Sequence, residues 1–144
     1  MHRRPVGRAR LLAGLAAVVI VAGSLLRWWS VGGRNGLPAL SGNAFDGFGI
    51  LVFFVALATV ALITLPYATD RPVRADRWPA YAILAGTGWF AFIIRIVDLA
   101  ALRAFQFDQP TEIFTSGPGL WVTGIGLVML ARAAYDVFRE PPVR

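Results

Sequence analysis

The chain has 144 residues, 57% of them hydrophobic and only 15% charged, with a net charge of +6. That length has room for one compact bundle, and the absence of cysteine excludes disulfides, thiolate metal sites and thiol redox chemistry. The only histidine is His2, in the N-terminal tail, which leaves no haem ligand, zinc ligand or histidine catalyst inside the apolar segments.

Residues 1–9 form a basic tail. Residues 11–26 then run without a charge between Arg10 and Arg27, predicting a first span over about residues 10–29 that ends in Trp28-Trp29-Ser30. A basic segment before an apolar one also opens a secretory signal. Here Arg27-Trp28-Trp29-Ser30 follows in place of a small-residue cleavage site, so an uncleaved span is expected. The next loop is rich in Gly and Pro, and its Asn35-Gly36 pair suits a tight turn. Asn43 followed by Asp46 predicts a helix-start cap, with Asp46 close to the positive end of the helix it opens. That second span is expected over residues 44–66, with Pro66 near its end.

A short loop carrying Asp70, Arg71, Arg74, Asp76 and Arg77 leads to a third span over residues 79–103, with Pro79 in its first turn. The following loop mixes Phe105, Phe107, Ile113 and Phe114 with Asp108 and Glu112. It is too apolar to float in water and is expected to pack on the bundle or dip into the headgroups. Pro118 opens a fourth span over residues 118–139, stopped by Pro141-Pro142.

A span needs ~20 mainly apolar residues. The second and fourth stretches meet that length directly, and the first and third reach it once flanking arginines snorkel. A soluble bundle would carry a polar stripe on every helix, and residues 11–26 and 47–68 carry no charge on any face. The fold class expected is therefore an all-α membrane protein. Short loops make it an antiparallel, up-down bundle of four transmembrane helices in a single domain, residues 1–144.

Charge sets its direction. Arg3, Arg4, Arg8, Arg10, Arg71, Arg74, Arg77, Arg132, Arg139 and Arg144 fall on one side, offset only by Asp70, Asp76, Asp136 and Glu140. On the other side Arg27, Arg34, Arg95 and Arg103 are balanced by Asp46, Asp98, Asp108 and Glu112. The whole excess of +6 therefore lies on one face, and the positive-inside rule places both termini in the cytoplasm. Anionic lipid accounts for the basic balance. Nucleic acid is not expected as a partner, because the basic loops lack interleaved stacking aromatics. Every cation is Arg, which points to a G+C-rich bacterial genome. Trp28, Trp29 and Trp121 mark the outer interface, and Tyr67, Trp78, Tyr81 and Tyr135 the inner one, in a two-sided aromatic belt of membrane anchors.

One constellation could carry chemistry. Arg95 and Asp98 share a face of the third helix at ion-pairing distance. At ~1.5 Å per residue from Pro79, Arg95 lies ~24 Å into a core ~30 Å thick. Two readings stay open. Arg95 snorkels to Asp98 and the headgroups, or the pair faces the bundle interior and makes a polar ligand pocket with Trp89, Phe92 and either Asp46 or Glu112. Arg132 and Asp136, four apart, are expected to pair at the cytoplasmic edge. Gly14, Gly23, Gly86, Gly88, Gly124 and Gly126 are candidates for close helix crossings. No cofactor or metal is expected.

The basic tail, Trp28-Trp29-Ser30, the Gly-rich loop and Asn43-Ala44-Phe45-Asp46-Gly47-Phe48-Gly49 together resemble a set of small uncharacterised bacterial four-transmembrane-helix membrane proteins. The likeness covers mainly residues 20–55. It implies a multi-pass location in the bacterial plasma membrane and carries no activity. The first functional expectation is a non-enzymatic subunit or scaffold of a membrane assembly, acting on a membrane-protein partner or as a homo-oligomer. The alternative is a small-molecule or lipid-binding bundle, or a transporter, using Arg95, Asp98 and Trp89.

Overall fold

A backbone surrounded by apolar side chains on every face must satisfy its own hydrogen bonds, and long apolar runs therefore wind into helix. The computed structural model describes residues 7–33, 38–68, 77–102, 104, 105 and 112–140, the side chain of Ile113 excepted. These residues are mostly helical: α1 (Arg8–Leu25), α2 (Ile50–Ala68), α3 (Trp78–Ala101), the short α4 (Glu112–Ser116) and α5 (Pro118–Arg139). Two short strands, β1 (Trp29–Val31) and β2 (Leu40–Gly42), stand between α1 and α2. α1, α2, α3 and α5 are each long and apolar enough to cross a membrane. Arg3, Arg4, the Asn35-Gly36 turn, Arg71, Arg74, Arg103, Phe107, Asp108 and the Pro141-Pro142 stop lie outside the described residues.

Two boundaries lie well away from those expected. The first span does not continue to residue 29: the chain leaves the helix at Leu26, whose φ of −74° and ψ of 162° are extended. The end is stable because tertiary donors meet the last carbonyls of α1, which have no partner within the helix. Leu26 N–H returns to Ala22 O, the Trp28 indole N–H donates to Gly23 O at 2.9 Å, and Ala44 N–H donates to Ser24 O at 3.3 Å. Trp29-Ser30-Val31 then pairs antiparallel with Leu40–Gly42, Trp29 opposite Gly42 and Val31 opposite Leu40. Gly32 and Gly33, at φ 89° and 81°, turn the chain after β1 as only glycine does freely.

The second span becomes helical at Ile50, later than residue 44. Asn43 and Asp46 do interact, but around a turn ahead of the helix. Asn43 N–H donates to Asp46 Oδ2 at 3.0 Å, and Phe45 N–H donates to Asn43 Oδ1 at 3.0 Å. Gly47, at φ 105°, then redirects the chain. Pro66 lies inside the last turn of α2, while Pro79 and Pro118 sit in the first turns of α3 and α5 as their spacing predicts.

The four long helices close a ring, α1 beside α2, α2 beside α3, α3 beside α5 and α5 beside α1. Adjacent helices run antiparallel. Along the α1–α5 seam Gly23 faces Thr123, Ile20 faces Gly126, and Arg10 meets Glu140 at 2.9 Å. Across α3–α5, Phe92 meets Gly124 near one end and Trp78 meets Phe138, ring centroids 5.2 Å apart, at the other. The end carrying β1 and β2 is the hairpin end, and the end with the Arg10–Glu140 pair is the termini end.

Along α1 and α3 many small side chains face inward and many large ones face out. Ala9, Ala13, Ala16 and Ala17 are buried on α1, while Leu11, Leu15 and Val18 of the same helix are exposed. On α3, Ile83, Phe90, Ile93 and Val97 are exposed in the same way. A soluble core would invert this arrangement, whereas lipid-solvated helices approach one another through their smallest residues. Of the glycines expected at crossings, Gly23, Gly88 and Gly126 stand where a Cβ would strike the neighbouring helix. Gly14 and Gly124 have ordinary clearance, and Gly86 faces open space. Gly119, not anticipated, is also tight, with Trp28 Cδ1 2.6 Å from where its Cβ would be.

Candidate functional site

A cleft of about 560 Å³ opens between α3 and α5 toward the hairpin end. Its floor is an aromatic cluster: Trp28 and Trp89 both meet Phe92 edge-on, with centroids 5.7 and 5.9 Å apart. Trp29 and Phe105 wall the hairpin end, and Leu120, Trp121, Gly124 and Met129 line the α5 side. Among the described residues no charged side chain lines it. Phe114 of α4 stacks on Trp121 at 4.8 Å beside the cleft.

The cleft has a packing cause. Gly124 presents no side chain to Phe92, and a Cβ there would still clear the ring at 3.6 Å. Trp28 is held rigidly by its indole bond to Gly23 O and by α5, where Gly119 N–H donates to Arg27 O at 2.8 Å. Gly117 and Gly119 let the first turn of α5 lie directly on the Trp28 segment. These contacts set the position of the wall.

Trp28, expected as a surface anchor, is instead fully buried. Small residues on α5 leave room for the ring inside, and its N–H is needed by a helix-end carbonyl. Tyr81, expected in the inner belt, is also fully buried. Trp29 is half-buried, while Trp121, Trp78, Tyr67 and Tyr135 are exposed.

Arg95 and Asp98 do not form the expected pair among the described residues, and Arg95 stands apart from the cleft that Trp89 lines. Arg95 is only 7% exposed, and its Nε is enclosed with no hydrogen-bond partner. Its guanidinium lies against the turn before α2: Nη1 is 3.0 Å from where a Cβ on Gly47 would stand. Arg95 is thus buried beside the Asp46-Gly47 turn, without the Asp98 pairing and without the pocket shared with Trp89 that the inward reading expected. The Trp29 indole N–H and the Thr123 hydroxyl are also buried without partners. At the termini end Arg132 and Asp136 pair at 3.2 Å as expected, and Arg139 lies over the Tyr135 ring at 4.5 Å.

Sequence reasoning missed Gly124, Met129 and Leu120 as cleft residues. The only available signal was the pairing of small with aromatic residues along α5, and that pattern does not say which helix is opposite. Among the described residues no three His, Cys, Asp or Glu side chains cluster as metal ligands would. No protein-family model, no curated protein and no solved structure matches the chain.

Proposed function

We propose that this chain is a multi-pass protein of the bacterial plasma membrane, with both termini cytoplasmic, that binds the hydrocarbon chain of a lipid in the α3–α5 cleft. The observation that carries the reading is the cleft itself: walled by Trp28, whose indole is fixed to Gly23 O, and lined among the described residues by no charge. Its volume of about 560 Å³ suits a small-molecule site, for which ~300–1,000 Å³ is usual. From Gly117 to Met129 it follows α5 for ~18 Å at ~1.5 Å per residue, close to the ~15 Å depth of one leaflet's hydrocarbon. A chain entering from the leaflet at the hairpin end would fill that length and end near the midplane.

The test uses the clearance at Gly124. Gly124→Leu places a side chain in the cleft, and Gly86→Leu places the same side chain on an open helix face. Native mass spectrometry of the protein extracted in mild detergent should find lipid retained by wild type and by Gly86→Leu, and lost from Gly124→Leu. Equal retention by both variants would sink the reading. A second protein, or a second copy of this chain, held by wild type and released by Gly124→Leu would instead assign the cleft to a membrane-protein contact. The chain would then be a non-enzymatic subunit or scaffold.

A further inference from the structure

We infer that Arg95 and the start of α2 together bind a phosphate group at the hairpin end of the bundle, a site separate from the cleft. Arg95 is only 7% exposed, and its enclosed Nε has no acceptor. Leaving a guanidinium nitrogen enclosed without an acceptor is costly, and an acceptor-rich group beside it would relieve that cost. The neighbouring groups add to the demand. The first turn of α2 is wound tightly, with Ile50, Leu51 and Val52 N–H donating three residues back to Gly47, Phe48 and Gly49. Phe48 and Gly49 therefore lead the helix with N–H groups that take no part in those bonds. The positive end of a helix of 19 residues thus begins at the same turn that Arg95 touches.

Two like-signed features placed together call for an anion between them. Among the described residues, Asp98 and Asp46 do not supply it. Asp98 makes no ion pair with Arg95 among the described residues. Asp46 is exposed and accepts from Asn43 N–H. Glycine at position 47 is itself required, because φ is 105° and a Cβ would press on the guanidinium. The planar fork of Arg95 matches two phosphate oxygens, and helix N–H groups suit a third. Its depth, ~24 Å along a core of ~30 Å, puts the group within a turn of the headgroup layer. The ligand is therefore a phosphate, carried by an anionic lipid or free in solution.

The experiment reconstitutes the full chain in nanodiscs of phosphatidylcholine, with phosphatidylglycerol titrated in, and follows the unfolding midpoint. Phosphatidylglycerol should raise the midpoint of wild type. Arg95→Gln should weaken the apparent affinity about ten- to hundredfold, the worth of hydrogen bonds to a charged group, and Arg95→Lys should weaken it less. Arg8→Gln, at the exposed termini end, should leave the rise intact and so control for general attraction to surface arginines. Gly124→Leu should also leave it intact, which separates this site from the cleft. A rise produced in phosphatidylcholine by inorganic phosphate, and lost in Arg95→Gln, supports the site with a free ion as its ligand. An equal rise in wild type and Arg95→Gln would overturn the inference, as would no rise in wild type with either phosphate source. If Arg95→Gln does not fold, the headgroups retained by wild type decide: equal retention of phosphatidylcholine and phosphatidylglycerol, with no response to phosphate, overturns it.

Discussion

Gly23 and Gly86 put the same residue type in opposite surroundings. A Cβ on Gly23 would lie 2.6 Å from the backbone N of Thr123, so α1 and α5 would have to separate to admit it. Forcing extra atoms into a close-packed contact costs about 1–3 kcal/mol. Gly86 has nothing within 4 Å of its Cβ position, and Ala there gains up to ~1 kcal/mol of helix propensity. Gly23→Ala is expected to lower unfolding stability in detergent by that amount, and Gly86→Ala to leave it equal or slightly raised. Equal effects at the two positions would mean that the α1–α5 seam is not close-packed.

α1 ends where its neighbours can supply donors. Its carbonyls at Ala22, Gly23 and Ser24 are met by Leu26 N–H, the Trp28 indole and Ala44 N–H, two of them from outside the helix. In a low-dielectric interior an unmet carbonyl costs about 1–3 kcal/mol, so Trp28 is as much a cap as a packing residue. Trp28→Phe keeps most of the ring and removes the N–H. It is expected to destabilise the bundle by about 1–3 kcal/mol and to loosen the turn into β1, seen as faster amide exchange at Trp29–Val31. An unchanged unfolding midpoint would show that the indole bond contributes nothing. The Arg10–Glu140 pair, partly exposed at the other end, belongs to a weaker class: neutralising Glu140 as Gln should change stability by less than ~1 kcal/mol.

For the molecule as a whole, the absence of cysteine makes topology directly testable. Ser41 in β2 and Arg77 before α3 lie at opposite ends of the bundle, and both are exposed. Single-cysteine variants in intact cells should react with a membrane-impermeant maleimide at Ser41→Cys and remain protected at Arg77→Cys. The reverse labelling would invert the orientation and move the arginine excess outside. Labelling of both in unbroken cells would argue against membrane insertion. The outward-facing Leu, Ile, Val and Phe side chains of α1 and α3 favour insertion, because water would not tolerate apolar faces of that extent.

The number, length and approximate limits of the long helices were legible in the chain. Hydropathy over ~20 residues is a local sum that needs no knowledge of neighbours. Pro79 and Pro118 mark helix starts for the same reason, since a fixed φ and a missing N–H act where they stand. What depended on facing was not legible. Trp28 reads as an interfacial anchor until Gly119 and Gly23 are seen beside it. Arg95 reads as snorkelling or as inward until Gly47 is found against its guanidinium. Gly124 becomes part of a cleft only because Phe92 stands opposite it. The sequence by itself determined how many times the chain can cross a bilayer, because that depends on each residue's own transfer energy. Only the tertiary structure decided which side chains meet, because packing depends on pairs that lie far apart along the chain.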